Sequence, residues 1–183
     1  MPRIRSADPR RDAAAIAAIY ADYVRDTAIT FETVPPTAEE FAARIERTQE
    51  THPWLVAAPD EADGRVVGFA YGCPHRDRAA YRWAADVSIY LEPASRRRGI
   101  GRALYQALFD RLRDQRLLIA VAGITLPNDA SVAIHESFGF VLVGVYRKIG
   151  YKSGAWRDVG WWQLELAAPA REPPPEPTPP PEP

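Results

Sequence analysis

A single cysteine, Cys73, stands among 183 residues, which excludes an intrachain disulfide and suits a reducing compartment. Its plainest role is that of a small buried hydrophobe. Net charge is lacking too: 23 basic against 24 acidic residues leave −1. No general field therefore draws nucleic acid or an anionic membrane, and any basic site must be local. No hydrophobic run approaches the length that spans a bilayer, and Met1 to Arg5 carries no apolar targeting segment. The expectation is a cytoplasmic protein without nucleic-acid or membrane partners. Two phosphate-binding signatures are also absent, the P-loop (GxxxxGKS or GxxxxGKT) and the dinucleotide fingerprint GxGxxG. No internal repeat is present.

What the chain does have, 46% hydrophobic and 26% charged residues, fills one core rather than two, so residues 1–168 read as one domain. Proline is concentrated at the end, where it supplies 9 of the last 15 residues and half of the chain's 18. Residues 169–183 hold too few N–H donors for a helix or a ladder. They read as a disordered or polyproline-II extension, with recognition by an SH3-like module as the alternative.

Strand and helix patterns alternate through the domain. Ile4 to Ser6 reads as a short strand, and Asp8-Pro9 is an N-cap with proline at the first helical position. The helix it opens runs to about Asp26 on the stripe Ile16, Ile19, Tyr20, Tyr23 and Val24. Thr27 to Pro36 breaks the period and carries Phe31; Thr37 and Glu40 then form a capping-box pattern for a second helix. Trp54 to Ala58 and Arg65 to Tyr71 read as a hairpin around a turn at Pro59 to Gly64. Trp83 to Leu91 is strand-like, and the helix that follows sets Ile100, Leu104, Leu108 and Leu112 on one face. Leu117 to Ile124 reads as a strand buried on both faces. A helix from Asn128 to Phe138 and strands at Phe140 to Tyr146 and Val159 to Leu166 complete the order. Two leading helices followed by β-α-β-α-β predict an α/β layer fold.

The chain is organised around Arg96-Arg97-Arg98-Gly99-Ile100-Gly101-Arg102, set between a strand and a helix. The first turn of a helix has unpaired N–H donors and the positive end of the macrodipole, so it favours an anion. Gly99 and Gly101 remove side chains from its approach, and the arginines add charge. Taken alone, the stretch is equally a Gly-containing turn with a solvated basic rim.

Arg96, Gly99 and Gly101 in the spacing Arg-x-x-Gly-x-Gly resemble the acyl-CoA pyrophosphate loop of the GNAT superfamily of N-acetyltransferases. The buried strand, Asn128-Asp129-Ala130-Ser131 and Phe138-Gly139-Phe140 follow in that superfamily's order. More narrowly, the chain resembles the phosphinothricin and methionine sulfoximine N-acetyltransferases. Pro53 to Ala57, Gly68 to Tyr71, Leu126 to Asp129, His135-Glu136, Gly150 to Gly154 leading to Trp156, Asp158-Val159-Gly160 and Trp162-Gln163-Leu164 carry that likeness, which covers about residues 3 to 166.

The resemblance implies the GNAT fold: a mixed central sheet with a splayed parallel strand pair, one strand being Val87 to Leu91, and flanking helices. It implies acetyl-CoA as cosubstrate, no metal, a small amino acid acceptor acetylated by direct transfer, and a homodimer. The cofactor site it implies comprises Ile89 and Leu91 on the splayed strand, Arg96, Arg97, Arg98, Gly99, Ile100, Gly101 and Arg102 in the loop, and Asn128 with Ser131. Asn128 is equally suited to capping a helix.

Acetyl transfer from a thioester to an amine needs the amine neutral and the leaving thiolate stabilised. The family places a glutamate base where this chain has Asp86, so the shorter carboxylate is expected to act through a water or only to orient a neighbour. His135 stands where many members carry an acidic tyrosine, although a histidine on a helix face is otherwise a satisfied core residue. Arg76, Arg78, Tyr81 and Lys152 match positions around the amino acid, with Phe31 as an apolar wall; individually each basic residue is equally a solvated loop charge. Arg76 departs from the family's lysine. The alternatives are a GNAT enzyme acting on peptide N-termini or another small amine, and a non-catalytic acyl-CoA-binding module.

Overall fold

The computed structural model describes residues 3–58, 64–168 and 174–180. Most of the expected hairpin turn at Pro59 to Gly64, and residues 169–173 and 181–183 of the proline-rich stretch, lie outside them. The elements run β1 (Arg3–Ser6), α1 (Pro9–Asp26), α2 (Ala38–Gln49), β2 (Trp54–Ala58), β3 (Gly68–Pro74), β4 (Ala84–Leu91), α3 (Ile100–Asp114), β5 (Ile119–Leu126), α4 (Asp129–Ser137), β6 (Val141–Lys152) and β7 (Ala155–Glu165).

The helix starts follow the capping chemistry of the sequence. Asp8 accepts from the Arg10 and Arg11 amides, with proline in the first turn of α1. Thr37 and Glu40 form the reciprocal capping box of α2.

The seven strands form one sheet in the order β1-β2-β3-β4-β5-β7-β6. Every neighbouring pair is antiparallel except β4 and β5. Because side chains alternate across a strand, the sheet feeds two cores. On one face Trp54, Val56 and Phe69 meet Ile16, Tyr20, Phe41 and Ile45 of α1 and α2. On the other, Leu55, Ala70, Ala85 and Ala120 meet Leu104, Leu108 and Leu112 of α3.

Two expectations change. The strand read as buried on both faces is buried on the α3 side through Ala120, Ala122 and Ile124, whereas Gly123 is exposed on the other. That second face belongs to an open cleft, so apolar content signalled only half of its burial. The last hairpin is also longer than the alternation indicates. Beta-bulges fall between Leu142 and Gly144 and between Tyr146 and Gly150 on β6; each added residue resets the two-residue period that marks a strand. Among the described residues, no helix is long and apolar enough to cross a membrane.

Leu104, fully buried beneath β3 and β4, fastens α3 under the basic loop. Leu104→Ala is expected to remove about 3 kcal/mol of stability, measured by urea unfolding, with an unchanged m-value.

Candidate active site

The parallel pairing of β4 and β5 covers Ala84↔Ile119, Ala85↔Ala120 and Asp86↔Val121 and then stops. Beyond it β4 stays paired with β3 to Leu91, while β5 stays paired with β7 to Leu126. The two strands therefore diverge, leaving a cleft of about 50 Å3 lined by Ser88, Ile89, Gly123, Asn128 and His135. Unpaired strand edges offer main-chain groups to an extended ligand. Leu91 is an exception within the expected site: its N–H donates to Tyr23 Oη at 3.1 Å and its carbonyl accepts from that hydroxyl at 2.7 Å. Strand alternation turns Ile89's backbone groups to the same side, two residues deeper in the gap.

At one end of the cleft lies the Arg/Gly turn. Gly99 has φ +77°, in the left-handed region. The first helical bond of α3 runs from Ala103 N to Gly99 O, and the amides of Ile100, Gly101 and Arg102 lack a helical carbonyl to bond. Gly101 has a packing reason as well, since a Cβ there would lie 3.1 Å from Ile134 Cδ1 and 3.2 Å from Leu91 Cδ1. Arg96, Arg97, Arg98 and Arg102 are exposed around this turn. Arg96 reaches over Tyr23 and Arg102 over Phe138.

Asn128 caps α4 by accepting from Ser131 N at 3.2 Å, which places His135 one turn further along the helix and over the cleft. His135 Nδ1 lies 2.7 Å from the Ser131 carbonyl. A carbonyl only accepts, so Nδ1 carries the proton, and in the neutral ring Nε2 accepts from Tyr105 Oη at 2.8 Å. Burial lowers the His135 pKa, with the Ser131 bond opposing it. Burial likewise pushes the Tyr105 hydroxyl up.

Asp86 sits where the strands part. His75 Nδ1 lies 2.6 Å from its Oδ1. Desolvation raises the carboxyl's pKa, opposed by the His75 bond and by charge from His75 and Arg76. The His75 ring meets the edges of Tyr81 and Trp161.

On this face a cavity of about 490 Å3 is lined by Phe31, Tyr71, Tyr90, Thr125, Tyr146 and Trp161. Its roof is the Thr27 to Pro36 loop, held by buried polar bonds. Tyr20 Oη meets Thr30 Oγ1 at 2.5 Å, Lys152 Nζ donates to Thr30 O at 2.7 Å, and Thr125 Oγ1 donates to Ile29 O at 3.2 Å. Arg44 forks onto Glu32 at 2.8 and 3.0 Å and holds that carboxyl's pKa down. Gly150 lets Phe31 pack inward, because a Cβ there would lie 2.2 Å from Phe31 Cε2.

The expected acceptor residues are thus divided. Phe31 lines the cavity, and Arg76 stacks 5.9 Å over its wall at Trp161. Arg78 and Tyr81 line a neighbouring cavity with Arg76. Lys152 is 7% exposed and bonded to the roof loop; burial lowers its pKa and nearby Glu32 opposes the shift. Sequence reasoning missed Tyr105, His75 and Trp161. The signal for Tyr105 was a polar hydroxyl on the apolar face of the α3 pattern. The signal for His75 was a second titrating group two residues after the strand position opposite Asp86. Among the described residues, no cluster of three His, Cys, Asp or Glu is arranged to hold a metal ion.

Comparison with known proteins agrees with this geometry. Residues 4–161 match the acetyltransferase (GNAT) domain family. The chain is 41% identical over 162 residues to a phosphinothricin N-acetyltransferase of Streptomyces viridochromogenes, covering 87% of each chain. It is 37% identical over 156 residues to an L-methionine sulfoximine/L-methionine sulfone acetyltransferase of Pseudomonas aeruginosa, covering 85% of this chain and 90% of that one. A phosphinothricin acetyltransferase from Sinorhizobium meliloti, solved in complex with AcCoA, superposes with a TM-score of 0.89 at 34% identity, covering 96% of this chain and 94% of that one.

The site's buried imidazole carries a pH dependence. Unfolded histidine takes a proton near 6.5, whereas the native His135 resists it, as does His52, which burial pushes down to about 4. The stability these two contribute is full above pH 6.5 and is lost as pH falls toward the native values. Asp86, whose native pKa is raised above 3.8, acts in the opposite sense at lower pH. The urea midpoint is expected to be higher at pH 7.5 than at pH 5.5, and His52→Gln to reduce that difference.

Proposed function

The chain belongs to the GNAT acetyltransferases, and from that premise we propose that its acceptor is the α-amino group of a small amino acid of the phosphinothricin or methionine sulfoximine kind. It is an acetyl-CoA-dependent N-acetyltransferase. The observation that carries the acceptor reading is the junction of the β4–β5 gap with an open pocket of about 490 Å3. That volume is in the small-molecule range, and its aromatic walls and pinned roof offer an acceptor a place beside the gap.

In this reading the turn from Arg96 to Arg102 holds the cofactor's phosphates with its amides and guanidinium groups. In the gap, Ile89's main chain and, across from it, Asn128 and Ser131 would hold the pantetheine arm. Bound acetyl-CoA supplies the acyl group to be transferred. Tyr23 takes Leu91's bonds and closes the gap's outer end.

The ammonium proton passes through a water to the Asp86 carboxylate. Burial makes Asp86 a stronger base than a solvated aspartate, and His75 holds its Oδ1. On the leaving-group side, desolvation disfavours a standing imidazolium at His135, so its assigned role is positional: the neutral ring, with its proton on Nδ1, holds the Tyr105 hydroxyl through Nε2 beside the gap. The departing thiolate takes its proton from solvent water. Arg76, stacked on Trp161, is the cation for the acceptor's carboxylate. Arg78 and Tyr81 support its loop, and Lys152 acts through the roof. A reducing cytoplasm suits the lone Cys73.

We also propose a homodimer through β6. It is the edge strand of the sheet and exposes Val141, Val143 and Ile149 at 64%, 66% and 57%. A row of apolar side chains beside an unpaired strand edge calls for a covering surface, and a second copy provides a self-complementary one.

CoA release is expected to saturate with L-phosphinothricin, L-methionine sulfoximine and methionine sulfone, and not with polyamines or an alanyl peptide. Activity confined to the latter would overturn the acceptor reading. Asp86→Asn should lower kcat by about 100-fold with acetyl-CoA affinity retained. Val143→Glu should convert dimer to monomer in sedimentation velocity; a wild type that sediments as a monomer would remove the interface.

A further inference from the structure

We infer that residues 174–180 form a strap that positions the acceptor loop between His75 and Trp83, and with it the enzyme's affinity for the amino acid. Within this stretch only Glu176 and Thr178 are not proline, and both sit at anchoring points. Thr178 N–H donates to Gln115 O at 3.0 Å, while Gln115 Nε2 donates back to Thr178 O at 2.8 Å and to Thr51 O at 2.9 Å. Gln115 is 1% exposed at the end of α3, so the strap is tied to a fixed point of the core.

The same segment grips the loop. Arg82 meets both carboxylate oxygens of Glu176, at 2.9 Å from Nη2 and 2.7 Å from Nε. Trp83 Nε1 donates to Pro175 O at 2.9 Å, and Arg82 stacks 4.2 Å over the Trp83 ring. Prolines restrict the backbone before docking, which reduces the entropy lost when the strap is laid down.

At this end Trp83 O accepts from Leu118 N at 2.9 Å and from Ile119 N at 3.1 Å, and the strap adds the bonds to the Arg82 and Trp83 side chains. Residues 76–81 are exposed, and behind them lies a cavity of about 570 Å3 bounded by Arg76, Arg78, Tyr81, His52 and Thr178. A loop with open space behind it is placed by its ends. One end is fixed by His75 on Asp86 and by Arg76 on Trp161, beside the acceptor cavity. At the other, the strap holds the Arg82 and Trp83 side chains. Releasing the strap lets the exposed middle of the loop shift toward the hollow and loosens Arg76 from Trp161, while His75 stays on Asp86. Among the described residues the strap's hydrogen bonds go to Arg82, Trp83, Gln115 and Arg116, away from the Arg/Gly turn and the gap, so cofactor binding is expected to be independent of it.

The kinetic part rests on the acceptor assignment proposed above; the positional part does not. The test uses the full chain carrying Glu176→Ala and Thr178→Pro, which removes the carboxylate and the N–H while keeping an extended backbone. Native-state trypsin cleavage at Arg76, Arg78 or Arg82 is expected to speed up by about five-fold or more. The acceptor KM should rise by about 3- to 10-fold, with kcat and acetyl-CoA KM within about twofold of wild type. Arg82→Glu should behave like the released strap, and adding Glu176→Arg should restore it. Unchanged loop cleavage, or an equal loss in every kinetic constant together with a lowered Tm, would overturn the strap. If wild type turns over no amino acid, the acceptor reading has failed and the trypsin comparison alone decides the strap.

Discussion

The site depends on an interaction that stops. Three residue pairs join β4 to β5, after which each strand keeps its antiparallel partner on the other side and the two part company. A sheet that kept pairing would bury its own backbone groups; one that parts leaves N–H and C=O groups facing each other across a slot, where they must find another partner. The residues proposed for binding and catalysis lie along that slot: the Arg/Gly turn at its mouth, Asp86 where it opens, His135 and Tyr105 on its α3 side, and the aromatic cavity on its α1 side.

Burial then sets the chemistry of the groups that line the slot. Asp86 and His135 are both shifted toward their neutral forms by desolvation, but the consequences differ. A carboxylate with a raised pKa is a better base, while an imidazole with a lowered one stays neutral. His75 holds Asp86, and the Ser131 carbonyl and Tyr105 hold His135, so both side chains are fixed in place.

Much of this was legible in the chain before any coordinates. Asp8-Pro9, the Thr37 and Glu40 box, and the Gly99 turn are local chemistry, and the elements start where those residues place them. The order of motifs around Arg96 to Arg102 and Asn128 likewise gave the fold, because spacing along the chain survives folding. What stayed hidden was non-local. Nothing near His75 says that its ring meets Asp86, and nothing near Leu91 says that Tyr23 takes both its backbone bonds. Lys152 reads as a free cation until the fold brings Thr30's carbonyl to it. The proline-rich end was read from composition as a disordered or polyproline-II extension; composition does not show that Glu176 and Thr178 have partners at the end of α3 and on the loop between His75 and Trp83.

Phe31 and Gly150 illustrate what such pairings mean for how the enzyme can change. Phe31 shapes the acceptor cavity, and its ring occupies the space that any side chain at position 150 would need. The two positions are therefore one heritable unit, although they lie on a loop and a strand far apart in the chain. A lineage drifting toward a different amino acid would meet coupling here: bulk gained at 150 requires the Phe31 ring, which is partly exposed, to turn away or be replaced. Random single substitutions at the cavity would consequently undersample the specificities this scaffold can reach, and libraries that vary both codons together would open them.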